Sequence, residues 1–415
     1  MILPPPPSSG CSDMGVIVQK FGGSCIVDAS ALKNAAKIIT GEYEKGNGVV
    51  AVVSAQGDTT DKLIRAAREI SDKPPKRELD VLMSAGEQLA VSMLAMAVNE
   101  LGFPCVTLLG WQAGIITNSV FGHARIRDID PERIKKELSK KKIVLVAGFQ
   151  GVDRKNNMTT LGRGGSDTTA VSLAAALNAE KCQIYSKIDG IYTADPETVP
   201  EAVKLPEIDY DCMQELSFLG VKVLNPRAVE LAKKYGVVIE VKSAFHSERP
   251  GTFVKEDAKM EKMLISGVSK MSNVARLSVC ELNDAPGGAY GIFDILNKND
   301  IQADIITQST GKNGNVDVSF CVSGDDADEA AELLNKSGNY GENNVLCDKN
   351  VAKISVVGVG MESHPGVGIA IFEALSKSDI NIIMITSSEL RFSVIVKKDD
   401  ADKAVAAIHA QFRMY

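Results

Sequence analysis

The sequence predicts an α/β protein in two parts. An N-terminal, mainly parallel sheet sandwiched by helices is followed by two interwoven α+β units. Three observations carry this. The first half alternates short apolar runs with stretches of helical spacing. The second half echoes itself at a constant offset. The charged stretch Lys255–Lys262 lies between them.

The elements follow in chain order. The opening MILPPPPSSG lacks the positive start and apolar stretch of a signal peptide, and residues 1–14 read as a disordered or polyproline tail. Val16–Gln19 is a β-branched strand that stops at Gly22-Gly23. Asp28–Tyr43 has helical spacing with Asp28 as N-cap. Val49–Val53 is all apolar, as a strand buried on both faces should be. Asp58–Ile70 and Asp80–Leu101 read as helices, with Met93 and Met96 as core fillers. Cys105–Leu109, Ile143–Phe149, Gln183–Ile188 and Val237–Val241 read as further strands. This part is expected to span 15–257.

Beyond it, Pro286 is echoed by Pro365, Phe293 by Phe372, Leu296 by Leu375 and Ile301 by Ile380, each pair 79 residues apart. One structural unit is therefore duplicated. Each copy reads strand, Pro-Gly turn, helix, strand, strand, helix. The first has a last strand near Asn344–Cys347, which the second lacks, and Met263–Val268 is a leftover strand before the first. Lending that strand to the second copy completes both. The expected boundaries are 271–350 for one unit, and 258–270 with 351–415 for the other.

Composition narrows the function. Of 415 residues, 45% are hydrophobic and 24% charged, ordinary for a globular protein. The net charge of −7 argues against a nucleic-acid binder. No uninterrupted apolar run reaches the roughly 18 residues of a membrane span, so no membrane partner is expected. The eight cysteines form no C-x-x-C pair and the four histidines are scattered. A zinc site or disulfide framework is not expected, and a reducing, cytoplasmic compartment fits.

Several motifs carry chemistry. Gly162-Arg163-Gly164-Gly165-Ser166-Asp167 opens a helix over Thr168–Leu177. Glycines let backbone N–H groups approach a phosphate, and a helix start favours an anion. The bland alternative is a Gly turn capped by Ser166 or Asp167. Lys20-Phe21-Gly22-Gly23 closes the first strand, at the edge where open α/β sheets bind ligands, and Lys20 either neutralises a phosphate there or, as is commoner for a lone lysine, snorkels at the strand end. Neither a P-loop nor a G-x-G-x-x-G fingerprint occurs at that strand. Glu87 is placed in the first turn of its helix, where it either suits the dipole or grips an ammonium. Ser54 and Thr60 either bind a small polar ligand or cap a helix. Lys222, before a helix starting at Pro226, is a phosphate contact or a surface lysine. A site joining a nucleotide triphosphate to an acidic substrate needs local cations. Lys20, Arg163 and Lys222, with a divalent metal, would supply them.

These residues resemble the aspartate kinases of the amino acid kinase family in order and spacing. The resemblance rests on Lys20–Gly23, Ser54-Ala55, Gly57–Thr60, Ser84–Glu87, Gly110–Gly114, Gly162–Asp167, Asp189–Pro196 and Lys222–Pro226. The two C-terminal units resemble that family's tandem ACT domains, so the likeness spans about residues 16–415. It implies transfer of the ATP γ-phosphoryl group to the β-carboxylate of L-aspartate, with Mg2+. The product, 4-phospho-L-aspartate, begins lysine, threonine, methionine and diaminopimelate biosynthesis. The resemblance puts Lys20 on the transferring phosphoryl group, with Asp167 as its organiser or a base. Arg163, Ser166, Ser54 and Thr60 would hold aspartate, with Glu87 on its ammonium. Lys20, Phe21, Gly22, Gly23, Gly164, Gly165, Ser186, Lys187, Tyr192, Lys222 and Val223 would meet the nucleotide. The metal ligands are not implied. Asp284, Ala289, Gln308, Thr386 and Ser387 are implied as contacts for a feedback effector, lysine and/or threonine. The likeness further implies a homodimer or higher oligomer through the ACT domains. Met260 or Met263 could start a separate regulatory subunit.

This sequence departs from the family pattern at Lys187, Glu197, Cys25 and Asn225, where an acid, Arg, Ser and His are usual. Lys187 and Glu197 exchange signs and could pair. Two other readings stand beside the kinase: a phosphotransferase for another carboxylate such as glutamate, and an amino-acid sensor with a weakened kinase part.

Overall fold

The strand Val16–Phe21 lies near the middle of an eight-stranded sheet, between Lys181–Ser186 and Gly48–Val53. The computed structural model describes residues 15–221, 223–256, 265–310, 314–338, 340, 344–361, 364 and 366–412. These fall into two units. The first holds residues 15–191, Lys204–Ser217 and the chain from 221 to 256. The second holds Tyr192–Val203, Phe218–Gly220 and the chain from 265 onward.

In the first unit the sheet runs Glu207–Ile208, Thr252–Val254, Ile239–Ser243, Lys181–Ser186, Val16–Phe21, Gly48–Val53, Ile143–Ala147, Cys105–Leu108. All neighbours are parallel except Ile239–Ser243 with Thr252–Val254. Gly48–Val53 and Ile143–Ala147 are buried along their whole length, as strands covered on both faces must be. Helices Ala29–Glu44 and Lys76–Glu100 pack Leu32, Ile39, Val91 and Leu94 against Val49, Ala51 and Leu145. Asp28 caps the first of them, accepting the Ala31 N–H at 2.8 Å. Gly165–Ala176 is buried through Ala174 and packs against the same strands.

A polar row crosses this sheet. Gln19, Gln183 and Glu240 are register partners on adjacent strands. The Gln19 amide donates to Gln183 Oε1 at 3.0 Å, and Gln183 Nε2 donates to Glu240 Oε2 at 2.9 Å. A one-residue slip would turn these buried groups to the other face, so the row pins register.

Three expectations are corrected here. The long helix begins at Lys76 directly after Pro75, not at Asp80, so Glu87 sits in its interior and gains nothing from the dipole. The helix after the Gly-rich run begins at Gly165, so Ser166 and Asp167 are first-turn residues rather than caps. Met93 and Met96 are 37% and 68% exposed and fill no core. Lys76–Glu100 is apolar on both faces, so periodicity alone does not show which face is inside. The helix is also long and apolar enough to cross a membrane. Its inner face instead buries Asp80 and Glu87 within the unit.

The second unit contains one six-stranded antiparallel sheet. Its order is Asp304–Thr310, Asn315–Ser323, Gly267–Asn283, Val345–Val357, Arg391–Lys397, Met384–Ser387. Two pairs of strands expected to be separate are continuous, because no proline interrupts Gly267–Asn283 or Val345–Val357. Bulges beside Val274 absorb the change of course. Gly267–Met271, at the head of the first copy, pairs with Lys353–Val357 of the second. Helices Gly288–Lys298 and Ala327–Lys336 close one core around Leu296, Phe320 and Leu334. Helices Gly366–Lys377 and Ala401–Gln411 close the other around Ile371, Leu375 and Ile408. Residues 192–203, read from sequence as part of the first half, join this second core through Ala194 and Val199. Thr193 Oγ1 lies 2.9 Å from His409 Nε2. The cysteines described are all free.

An ion cluster ties the sheet together. Lys353, its side chain 6% exposed, meets Asp304 Oδ2 at 2.5 Å, and Arg391 meets Oδ1 at 3.3 Å. Burial alone would raise the Asp304 pKa, but the two cations outweigh it and hold the carboxyl below its ordinary range. Asp304→Ala should cost about 2–3 kcal/mol in urea denaturation, because it strands the buried Lys353 charge. Lys353→Met should cost clearly less, since Arg391 still serves Asp304. Equal costs would show that the Lys353 charge is not what the pair satisfies.

Candidate active site

The C-terminal edge of the parallel sheet gathers four chain turns. Lys20 is the last residue but one of the first strand and Gly22-Gly23 follow it, Ser54 follows Gly48–Val53, Gly148 follows Ile143–Ala147, and Ser186 ends Lys181–Ser186. Ligands bind open α/β sheets at this edge because the loops there diverge. Gly23 is obligatory: an added Cβ would lie 2.2 Å from the Ala55 carbonyl oxygen.

The helix Gly165–Ala176 points its N-terminus at the same edge. Gly164 adopts φ 71°, a left-handed turn that favours glycine, and a Cβ there would meet Asn225 Nδ2 at 2.2 Å. Asn225 ties this turn down. Its side-chain amide donates to the Arg163 carbonyl at 2.9 Å, its backbone N–H to Asp167 Oδ2 at 3.3 Å, and its Oδ1 accepts from Arg227 N–H. The Arg227 guanidinium donates to the Ala124 carbonyl at 3.0 Å and the Leu161 carbonyl at 3.4 Å.

Lys20 Nζ and Asp167 Oδ1 meet at 2.7 Å, with side chains 13% and 9% exposed. Beside them opens a cavity of about 550 Å3. Its walls include Lys20, Ser54, Thr60, Glu87, Arg163 and Ser166. All the residues expected to hold substrate therefore share one space. Glu87 Oε1 accepts the Ala55 N–H at 3.0 Å, while Oε2 is buried without a hydrogen-bond partner. Burial pushes the Glu87 carboxyl up to about 7, against the pull of the Ala55 N–H.

Other expected residues fall elsewhere. Phe21 is fully buried and stacks on Tyr185, rings 4.8 Å apart, so its side chain serves the core. The Ser186 hydroxyl is held in a local turn with Ile188. Lys187 and Glu197 are exposed, and Val223 is half-buried. Tyr192 is counted with the second unit. Lys222, Met260 and Met263 lie outside the described residues. Cys25 is buried, and burial pushes its thiol up, so it packs rather than reacts. In the second unit, Asp284 follows the Gly267–Asn283 strand and Ala289 lies in the next helix. Gln308 and the pair Thr386-Ser387 lie on the two opposite edge strands.

The sequence reading missed Asp80 and His123. Asp80 is buried and accepts from Gly122 N–H, Thr160 N–H and Thr160 Oγ1 at 2.7–3.0 Å. It fixes the loop that brings Phe121 and His123 into the cavity wall. Only the length of the helix, traced back to Pro75, would have flagged it.

This combination has a recognised class. Residues 15–243 match the amino acid kinase family, and residues 354–412 match the ACT domain. The chain is 45% identical to the aspartokinase of Bacillus sp. (strain MGA3) over 97% of its length and 98% of that protein's. Its fold is that of E. coli aspartokinase III. The form with aspartate and ADP gives a TM-score of 0.78 at 24% identity, covering 95% of this chain and 99% of that one. The form with lysine and aspartate gives 0.76 at 24%, covering 96% and 99%. The chain belongs to the aspartokinases, and is an ATP-dependent phosphotransferase.

Two glycine substitutions should act in opposite directions. Gly23→Ala forces the backbone apart at Ala55, and should cost roughly 1–3 kcal/mol and most of the turnover. Gly41→Ala, in the open interior of a helix, should add roughly 0.5–1 kcal/mol and leave turnover alone. Thermal melts with an ADP-release assay check both.

Proposed function

We propose that this chain transfers the γ-phosphoryl group of ATP to the β-carboxylate of L-aspartate, giving 4-phospho-L-aspartate. The observation that carries the reading is the buried, unpartnered Glu87 Oε2 in the cavity that Lys20, ion-paired with Asp167, also lines. An amino acid brings an ammonium and two carboxylates. Glu87 suits the ammonium, and Arg163 with Ser166 suits the carboxylates. E. coli aspartokinase III, of the same fold, was solved with aspartate and ADP, which supports the choice of ligands.

The reaction asks little covalent chemistry of the protein. A β-carboxylate oxygen attacks the γ-phosphorus, and the bond to the bridging oxygen of ADP breaks. The acceptor is already deprotonated at neutral pH, so no general base is needed. Asp167 is therefore read as the residue that aims Lys20. Lys20 neutralises charge on the transferring group, and the glycine turns let backbone N–H groups approach the phosphates. Magnesium prefers one or two carboxylates plus nucleotide phosphates. No cluster of three ligating side chains occurs among the described residues, so Mg2+ would be held mainly by ATP, with Asp167 as the nearest candidate ligand. Its chemistry would be to neutralise phosphate charge. The mixed anhydride formed is prone to hydrolysis, so the site must exclude water.

The second unit is read as a feedback device for lysine, threonine or both, in a dimer or larger assembly acting in the cytoplasm. ADP release from Mg-ATP and L-aspartate that falls on adding lysine plus threonine would support both halves of the reading. Release with glutamate but not aspartate would favour the alternative acceptor. Amino-acid binding without turnover would favour a sensor.

Glu87 gives a pH test. Its carboxyl must be ionised to hold an ammonium, and it is neutral below about 7. KM for aspartate should therefore rise as pH falls below 7. Glu87→Gln should have a high KM at every pH and a flat profile. Because the folded-state pKa is raised, ionised Glu87 costs stability above its pKa. At pH 8 the Gln variant should therefore be the more stable protein, by of order 1–3 kcal/mol. A Gln variant that retains the pH dependence would remove Glu87 from ammonium binding.

A further inference from the structure

The helices Gly165–Ala176 and Pro226–Tyr235 pack together, and the strand Ile126–Ile129 lies against the first of them. Among them lies a second cavity of about 140 Å3, which shares no residue with the one that Lys20 lines. Its wall is mainly apolar, with Ile126, Ile129, Ala175, Ala176, Leu231 and Tyr235. An apolar space of roughly 150 Å3 accepts a guest the size of benzene. One charged group on this wall is poorly matched. Arg227 is half-buried, and only its Nη1 is engaged, by the Ala124 and Leu161 carbonyls. Among the described residues, no carboxylate lies within ion-pair distance of it, and no acceptor meets its Nε or Nη2. Burial, and then the nearby Arg125, hold its pKa below the ordinary value against the pull of Glu230. Lys234 adds a second cation to the wall, 5.4 Å from the centre of the Tyr235 ring. The opposing charge there is Asp128, whose Oδ1 is already taken by the Ile129 N–H at 3.0 Å.

We propose that this cavity binds a small organic anion with an aryl-sized apolar body, its carboxylate paired with the Arg227 guanidinium. The space and its walls suit the body, which is held by burial. The guanidinium fork left open at Nε and Nη2 matches the two oxygens of a carboxylate. A free amino acid fits less well, because its ammonium would be set beside Arg227 and Lys234. The guest would lie between the helix that carries Asp167 in its first turn and the helix that Asn225 caps.

Calorimetric titration of the purified full chain tests this, with L-aspartate and ADP present in excess to fill the other cavity. Sodium benzoate should bind with a Kd of about 1 mM. Benzyl alcohol keeps the body without the charge, and acetate keeps the charge without the body. Each should bind about tenfold more weakly than benzoate or worse. Ala176→Leu puts a larger side chain into the cavity, and should abolish benzoate binding while leaving ADP release from Mg-ATP and aspartate unchanged. The comparison of the three probes needs no variant, so it decides the matter even where Ala176→Leu does not fold. It is also independent of which carboxylate the enzyme phosphorylates. Benzoate that binds no tighter than acetate or benzyl alcohol, or equally well to a folded Ala176→Leu protein, would overturn the proposal.

Discussion

The Lys20–Asp167 ion pair is the constraint around which the first unit is organised. A lysine parked at a sheet edge in an acidic protein would ordinarily swing into water. Here its partner leaves it little freedom, and its side chain is mostly buried. Such a pair is costly to break, because either charge left alone keeps its desolvation penalty. Its geometry depends on distant parts. The strand Val16–Phe21 fixes Lys20, and that strand is held in register by the Gln19–Gln183–Glu240 row. Asp167 is fixed by the left-handed turn at Gly164, which Asn225 ties to the start of another helix.

Two carboxylates on one helix show how environment assigns roles. Asp80 and Glu87 are seven residues apart, on the same inner face, and both are buried. Asp80 spends both oxygens on the Gly122 loop and Thr160. It is structural, holding a wall of the cavity. Glu87, which lines the cavity, keeps one buried oxygen without a hydrogen-bond partner. A buried polar atom left unmatched costs stability. The difference lies in their neighbours, and nothing in either residue's own type reveals it.

Much of this was legible in the sequence, for reasons that also explain the rest. Strands buried on both faces announce themselves as all-apolar runs, so Gly48–Val53 and Ile143–Ala147 were readable. Glycine turns next to Lys20, Arg163 and Asp167 left each open between a ligand site and a capped turn or strand-end lysine, and only the order and spacing of the whole motif set, through the family resemblance, singled them out. The constant repeat offset exposed the duplicated units. What failed was information carried by packing. Lys76–Glu100 has no polar face to show which side is inside, so its start and the fates of Met93 and Met96 were misread. Asn225, Arg227 and Asp80 act through main-chain partners up to 103 residues away, and such pairings leave no local trace.

The second unit shows why its repeats are fused rather than merely adjacent. A separate small α+β unit would end its sheet in exposed edges. Here the strands Gly267–Asn283 and Val345–Val357 each run through both repeats, so one backbone belongs to two cores. The two outer strands are then brought into relation. Ile305 and Met384, from opposite edges of the sheet, share a small core with Val351 and Cys321. Asp304 binds Lys353 and Arg391 across the intervening strands. Ile305 sits at φ 50°, an unfavourable conformation for a β-branched residue, held by its own N–H bonded to Asp304. Gln308 lies three residues along that strand, and Thr386-Ser387 on the facing edge. An effector that engaged these positions would act on a segment already strained and already clamped to both repeats.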